Sequence, residues 1–232
     1  MVLPPGLSPL AGRFIAFEGG DGAGKSTHLK LLADELRRRG LVDTPGQPGV
    51  VVTREPGGTT LGCQIRQILL HGGDLAATAE ALLYAADRAQ HVAELIGPAL
   101  SRGDLVLTDR YLDSSISYQV EGRGLSETTV RQVNALATAG LRPDLTILLD
   151  VGQATAWDRL SQSGQPADRL ERAGEDFHRR VNQRYRDLAA ADPDRYAIIA
   201  SEAPLDEVQE RLWQAFERYL DAWTRQTRAG RP

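Results

Sequence analysis

The chain contains one cysteine, Cys63. That excludes an internal disulfide framework and suits a reducing compartment; a small, buried or half-buried side chain is the expected role. No apolar stretch approaches the eighteen or so residues of a membrane span. A surplus of positive charge is missing too: the formal net charge of −4 argues against a dedicated nucleic-acid binder. Lysine is nearly absent, since Lys25 and Lys30 are the only two among 27 basic residues. The rest are arginines, so a single arginine carries little information by itself. The opening "MVLPPGLSPLAGR" has neither a positive n-region nor a sustained apolar h-region, and residues 1–12 read as a loose leader, not a signal peptide. The histidines (His28, His71, His91, His178) form no ligand-like cluster. What remains is ordinary globular composition, 41% apolar and 25% charged, in a 232-residue chain that can bury most of its apolar surface.

Short apolar runs recur at "RFIAFEG" (13–19), "GVVVT" (49–53), "DLVLTD" (104–109), "LTILLDV" (145–151) and "YAIIA" (196–200). Their near-continuous apolar character is that of strands buried on both faces. Helical spacing fills the intervals, over about 26–39 (stopping at Gly40), 60–71, 77–101, 126–139, 152–162, 174–191 and 204–223. Alternation of this kind predicts an α/β, three-layer fold with a five-stranded parallel sheet covered by helices on both faces. The polar "QSGQPADRLERAG" (162–174) reads as a short lid, and residues 13–223 as one domain. Residues 224–232 read as a frayed basic tail.

"GGDGAGKS" fits G-x-x-x-x-G-K-[ST] between a predicted strand and a predicted helix, the context of a true P-loop. Glycines let backbone N–H groups turn inward around a phosphate, and the helix N-terminus adds a positive dipole. Gly19, Gly20, Asp21, Gly22, Ala23, Gly24, Lys25, Ser26 and Thr27 are therefore the expected ATP-binding run. Lys25 would reach the β- and γ-phosphates, and Ser26 would offer its hydroxyl to Mg²⁺.

The destination of the γ-phosphate must be read elsewhere. A guanine-reading N-K-x-D is absent, because both lysines lie in the P-loop region. The third strand ends "LTDRYLDSS", with Asp109 placed to assist a metal and Arg110 placed to clamp a second phosphate. "TREPGGT" puts Arg54 and Glu55 at the C-terminal tip of the second strand, the sheet edge where ligands sit. Tyr84 and Arg88, four apart, share a helix face, where a ring can stack a base beside a guanidinium. Ser115, Tyr118 and Gln119 follow the Asp-Arg pair. The combination suggests phosphoryl transfer between two nucleotides.

"EGGDGAGKST", "REPGG", "YAADRAQH", "DRYLDSSISYQ" and "DRLE" follow one another as in thymidylate kinases, and from about residue 13 to 220 the chain resembles that family. The resemblance implies transfer of the ATP γ-phosphate to dTMP with Mg²⁺, in a cytoplasmic homodimer with no nucleic-acid or membrane partner. It implies that Tyr84 stacks on thymine and Arg88 bonds its O4. Ser115, and Tyr118 or Gln119, would line base and sugar. Arg110 and Arg54 would bind the dTMP phosphate, Asp109 would assist the metal, and Asp21 would accept from the 3′-hydroxyl. The dimer would use the helical faces around 61–70 and 81–100, unless these pack only on the sheet. Some members carry a catalytic arginine directly after the P-loop aspartate; here that position is Gly22. The expected alternative is a lid arginine, Arg169 of "DRLE", with Arg172 or Arg159 next. Two rival readings are a deoxynucleoside kinase acting on a sugar hydroxyl and a P-loop module that holds ATP without turnover.

Overall fold

The computed structural model describes residues 6–41, 48–162, 164 and 168–228. Residues 1–5 of the expected leader, most of the turn-rich loop at 42–49, lid residues 163 and 165–167, and the last four residues lie outside this set. Strands β1 (Phe14–Glu18), β2 (Val50–Arg54), β3 (Leu105–Asp109), β4 (Leu145–Asp150) and β5 (Tyr196–Ala200) form one parallel sheet in the order β2-β3-β1-β4-β5. Phe17 is in register with Asp109 and Ile147, and Arg54 with Asp109. Glu18, Arg54 and Asp109 therefore reach the same C-terminal edge, where a ligand site belongs.

Alternation along β1 divides the core. Ile15 and Phe17 pack with Leu29, Leu32 and Leu36 of helix α1 (Lys25–Arg38) and with Leu212 and Phe216 of the C-terminal helix. Phe14 and Ala16 face the opposite way, against Ile96, Ala99, Val106 and Tyr111. Each fully buried leucine contributes roughly 1.5–3 kcal/mol relative to exposure. Helix α1 stops as expected: Gly40 adopts φ 107°, its N–H donates to Arg37, and the Leu41 N–H donates to Leu36. Leu41 then buries its side chain, which completes the cap.

Four features differ from the sequence reading. Leu7 and Leu10 of the expected loose leader are buried in the α1-side core, around a short 3₁₀ turn at Ser8–Leu10. The final helix runs Leu205–Arg228, so 224–228 continue it and do not form a tail. The stretch 77–101 is not one α-helix. It is α3 (Ala77–His91), a π-type segment (Val92–Ile96) and α4 (Gly97–Ser101). Pro98 lacks the N–H that would continue the ladder, and the wider turn before it absorbs the mismatch.

The fourth difference matters most. Leu112–Gly122, given no helix by periodicity, is helical as α5 (Leu112–Ser115) followed by a π-type segment (Ile116–Gly122). Its inward residues include Ser115, Ser117 and Gln119, all buried. A helix that turns polar side chains inward shows no apolar stripe. The other helices are α2 (Thr60–His71), α6 (Glu127–Thr138), α7 (Gln153–Gln162), α8 (Glu175–Ala191) and the C-terminal α9 (Leu205–Arg228).

Candidate active site

Two clefts open at the C-terminal edge of the sheet. One, about 730 Å³ with its mouth, is lined by Asp21, Gly22, Gly24, Lys25, Ser26 and Thr27, and by Arg54, Arg66, Asp109 and Arg110. The second, about 550 Å³ with its mouth, is lined by Tyr84, Arg88, Ser114, Ser115, Tyr118 and Gln119. Asp21, Glu55, Arg66, Arg110 and Asp168 belong to both.

The first cleft has the expected loop. Gly24 caps α1 in the left-handed region at φ 89°. A side chain on Gly22, at φ 76°, would meet the Ala156 carbonyl oxygen of α7 at 2.5 Å. The packing therefore excludes an arginine at position 22, as the sequence already lacks one. Ala23 faces the core, and Gly19 and Gly20 contribute carbonyls: Lys25 Nζ donates to Gly20 at 2.7 Å, and Arg110 to Gly19 at 3.2 Å. Burial, reinforced by the charge of Arg110, pulls Lys25 down to about 8. A phosphate would restore the charged form.

Ser26 Oγ donates to Asp109 Oδ2, while Asp109 Oδ1 is buried with no hydrogen-bond partner among the described residues. A hydroxyl and an orphaned carboxylate oxygen beside a phosphate loop fit Mg²⁺, which takes oxygen ligands and draws the remainder from phosphates and water.

Arg110 occupies the junction with φ 72°, a strained conformation for a side-chain-bearing residue. The carboxylate of Glu18 holds that turn. It accepts from the backbone N–H of Tyr111 (2.9 Å) and Ser114 (3.2 Å), the Ser114 hydroxyl (2.6 Å) and the Tyr185 hydroxyl (3.1 Å). Burial and the neighbouring Asp113 charge raise its pKa. Arg110 donates to Asp21, Ser114, Tyr118 and Tyr185. Burial pushes the Asp21 carboxyl upward, but Arg110, Lys25 and the Tyr118 hydroxyl outweigh it, leaving its pKa below the ordinary value. Tyr118 donates to Asp21 at 2.8 Å, so it orients the junction as well as lining the second cleft.

Arg88 is buried to 1% exposure. It donates to Glu55 (2.7 Å), Ser115 (2.9 Å), Asn134 and the Tyr111 carbonyl (2.8 Å). Four of a guanidinium's five N–H donors are thereby committed, and one remains for a ligand. Glu55 also accepts from His91, which places the "REPGG" glutamate under Arg88 and not in solvent. Tyr84 lines the cleft half-buried, and burial raises its phenol pKa.

Two of the expected arginines lie outside the lining of the second cleft. Arg54 is exposed and lines the first cleft, not the second. Arg169 does not line either cleft. Its guanidinium lies 2.6 Å from the fully buried Glu80 carboxylate, and its Nε donates to the Leu69 carbonyl at 2.9 Å. A buried carboxylate needs counter-charge, and "DRLE" supplies it here. Arg159 donates to the Gly22 and Ser201 carbonyls and so bridges the P-loop to the β5–α9 loop.

Sequence reasoning missed Arg66, Glu18, Ser114 and Tyr185. Arg66 lines both clefts, and burial together with the charges of Arg54 and Arg110 lowers its pKa. Arg54, Arg66 and Arg110 line one cleft, and converging guanidiniums favour an anion there. The one signal available was Glu18, an acid inside an otherwise apolar strand run.

The family model for thymidylate kinase matches residues 17–212. The thymidylate kinase of Bifidobacterium longum subsp. infantis is 48% identical over 213 residues, covering 90% of this chain and 85% of that protein. That of Leifsonia xyli subsp. xyli is 51% identical over 202 residues, covering 87% and 92%. The crystal structure of thymidylate kinase from Ehrlichia chaffeensis superposes with TM-score 0.73 at 30% identity, covering 89% of this chain and 99% of that one.

Proposed function

The chain belongs to the thymidylate kinase family and transfers the γ-phosphate of ATP to dTMP, and from that premise we propose how its residues divide the work. The observation that carries the assignment is the boundary shared by the two clefts, with Arg110 at its centre. ATP lies along residues 19–27 and dTMP in the cleft of Tyr84, with the two phosphates meeting at Arg110. A dTMP phosphate oxygen attacks the γ-phosphorus, that bond forms as the bridge to the β-phosphate breaks, and ADP leaves. The attacking group is already an anion at neutral pH, so no general base is needed. Positioning and charge carry the catalysis.

Lys25 spans the β- and γ-phosphates, and Arg110, Arg66 and Arg54 offset the charge at the junction. Ser26 and Asp109 would hold Mg²⁺, which supplies charge neutralisation on the phosphates. Asp21 fixes Arg110 and retains acceptor capacity for the deoxyribose 3′-hydroxyl. Tyr84 stacks on thymine, the remaining N–H of Arg88 bonds its O4, and Ser115, Tyr118 and Gln119 line base and sugar. Exposed Leu61 and Ile68 on α2 and Leu82 on α3 support a homodimer through those helices. The single exposed free cysteine and the lack, among described residues, of a helix long and apolar enough to cross a membrane support a cytoplasmic enzyme.

The test is ADP release from Mg·ATP with dTMP, dUMP, dGMP, AMP and thymidine offered separately. Fast turnover with dTMP, weaker with dUMP and none with thymidine is expected. Turnover with thymidine alone would overturn the phosphate-clamping role of Arg110.

A further inference from the structure

Glu80, on α3 one turn before Tyr84, has no solvent exposure. Three side chains converge on its carboxylate. Arg169 lies 2.6 Å from Oε2, and Arg123 lies 3.1 Å from Oε2 and donates from Nε to Oε1 at 3.3 Å. The third is Gln119, whose amide nitrogen donates to Oε1 at 3.2 Å. Two guanidiniums already balance the charge, so the bond to Gln119 is not needed for neutralisation.

That bond fixes an orientation. A carboxylate only accepts, so the Gln119 amide must turn its NH₂ toward Glu80 and its carbonyl oxygen away. Gln119 is itself 1% exposed and lines the acceptor cleft, and its carbonyl oxygen has no partner among the described residues. Gln119 thus borders the cleft with an amide whose orientation is set from behind. We propose that Glu80 is a specificity-positioning residue: by locking the Gln119 amide it makes the cleft read a base edge that donates a hydrogen. Thymine and uracil donate through the ring N3–H, whereas cytosine presents a lone pair at that atom. This rests on the reading that Gln119 faces the base.

Replacing Glu80 by glutamine reverses the arrangement. The new amide oxygen takes the Oε2 place, beside the terminal nitrogens of Arg123 and Arg169. The NH₂ takes the Oε1 place between the Arg123 Nε–H and Gln119, of which only the Gln119 amide can turn over to accept. Gln119 must then flip and turn its own NH₂ into the cleft. Thymine and uracil share the N3–H, so dTMP and dUMP are affected alike.

The experiment measures KM for dTMP and dUMP and the competitive Ki of dCMP in wild type, Glu80→Gln and Gln119→Leu. The ratio of dCMP Ki to dTMP KM is expected to fall about ten- to hundredfold in Glu80→Gln, the scale of one buried hydrogen bond mismatched. kcat should hold within about threefold and the dTMP-to-dUMP ratio should not move. Gln119→Leu should lower the same ratio. If Gln119→Leu leaves it unchanged, Gln119 does not face the base and the underlying reading fails. If Gln119→Leu lowers it and Glu80→Gln does not, Glu80 is only a counter-ion and the proposal is overturned. Should Glu80→Gln not fold, the Glu80→Gln/Arg123→Leu double variant removes the surplus charge and is judged by the same ratio.

Discussion

The triphosphate cleft takes six of its lining residues from the run 21–27, while the acceptor cleft gathers its wall from segments spread between residues 21 and 170. The first is built mainly from backbone, by glycines in conformations that other residues avoid and by the start of α1. The second is built from side chains that hold one another. Glu55 carries Arg88, Glu18 carries the Arg110 turn, and Glu80 carries Gln119. A phosphate is the same in every nucleotide, so a backbone loop can bind it. A base and a monophosphate must be selected, and that takes converging polar groups, each oriented by a partner.

The sharpest probe of this contrast is the residue that both clefts share. Arg110→Met should lower kcat about 10³-fold or more, as removal of a transition-state arginine does, with steady-state turnover as the measurement. A smaller effect on stability than on rate would separate this from simple unfolding. Next comes Arg88→Leu, which leaves Glu55 buried with His91 as its remaining ring partner. The loss of an ion-pair partner at a buried site costs about 3–5 kcal/mol, read as a shift in denaturant midpoint. No single side chain in the P-loop run should have so large a structural effect.

On the donor side the expected dependence is on pH. Lys25 in the empty site titrates at about 8, below its ordinary value, because burial and Arg110 disfavour its charge. As pH rises through that value the charge is lost. The affinity for Mg·ATP should then weaken by up to about tenfold per pH unit, with a proton taken up on binding. Calorimetry in buffers of different ionisation enthalpy reads both. Smallest of all, Tyr84→Phe should change kcat/KM for dTMP by no more than about twofold. The ring is retained, and the hydroxyl makes no hydrogen bond among the described residues.

Legibility from sequence follows the same division. The strands at 14–18, 105–109 and 145–150 and the P-loop were readable because a local run of residues determines them. Tyr84, Arg88, Ser115, Tyr118 and Gln119 were readable as motif members, though not their partners. Asn134 meets Arg88 across 46 positions and Tyr185 meets Glu18 across 167, with nothing local to announce either. Leu112–Gly122 hid its helix because it turns polar groups inward. The surroundings of Arg169 were hidden for a related reason. A polar, glycine-bearing segment looks solvent-facing, and only the fold reveals the buried carboxylate of Glu80 that claims its guanidinium.

The most direct test of the account is kcat for Arg169→Met at saturating Mg·ATP and dTMP. The account places catalysis at Arg110, Lys25 and their neighbours, and predicts a kcat within a few-fold of wild type, with any loss appearing in KM for dTMP or in stability. A fall of about 10³-fold in kcat with KM and folding intact would put Arg169 on the transferring phosphate and contradict it.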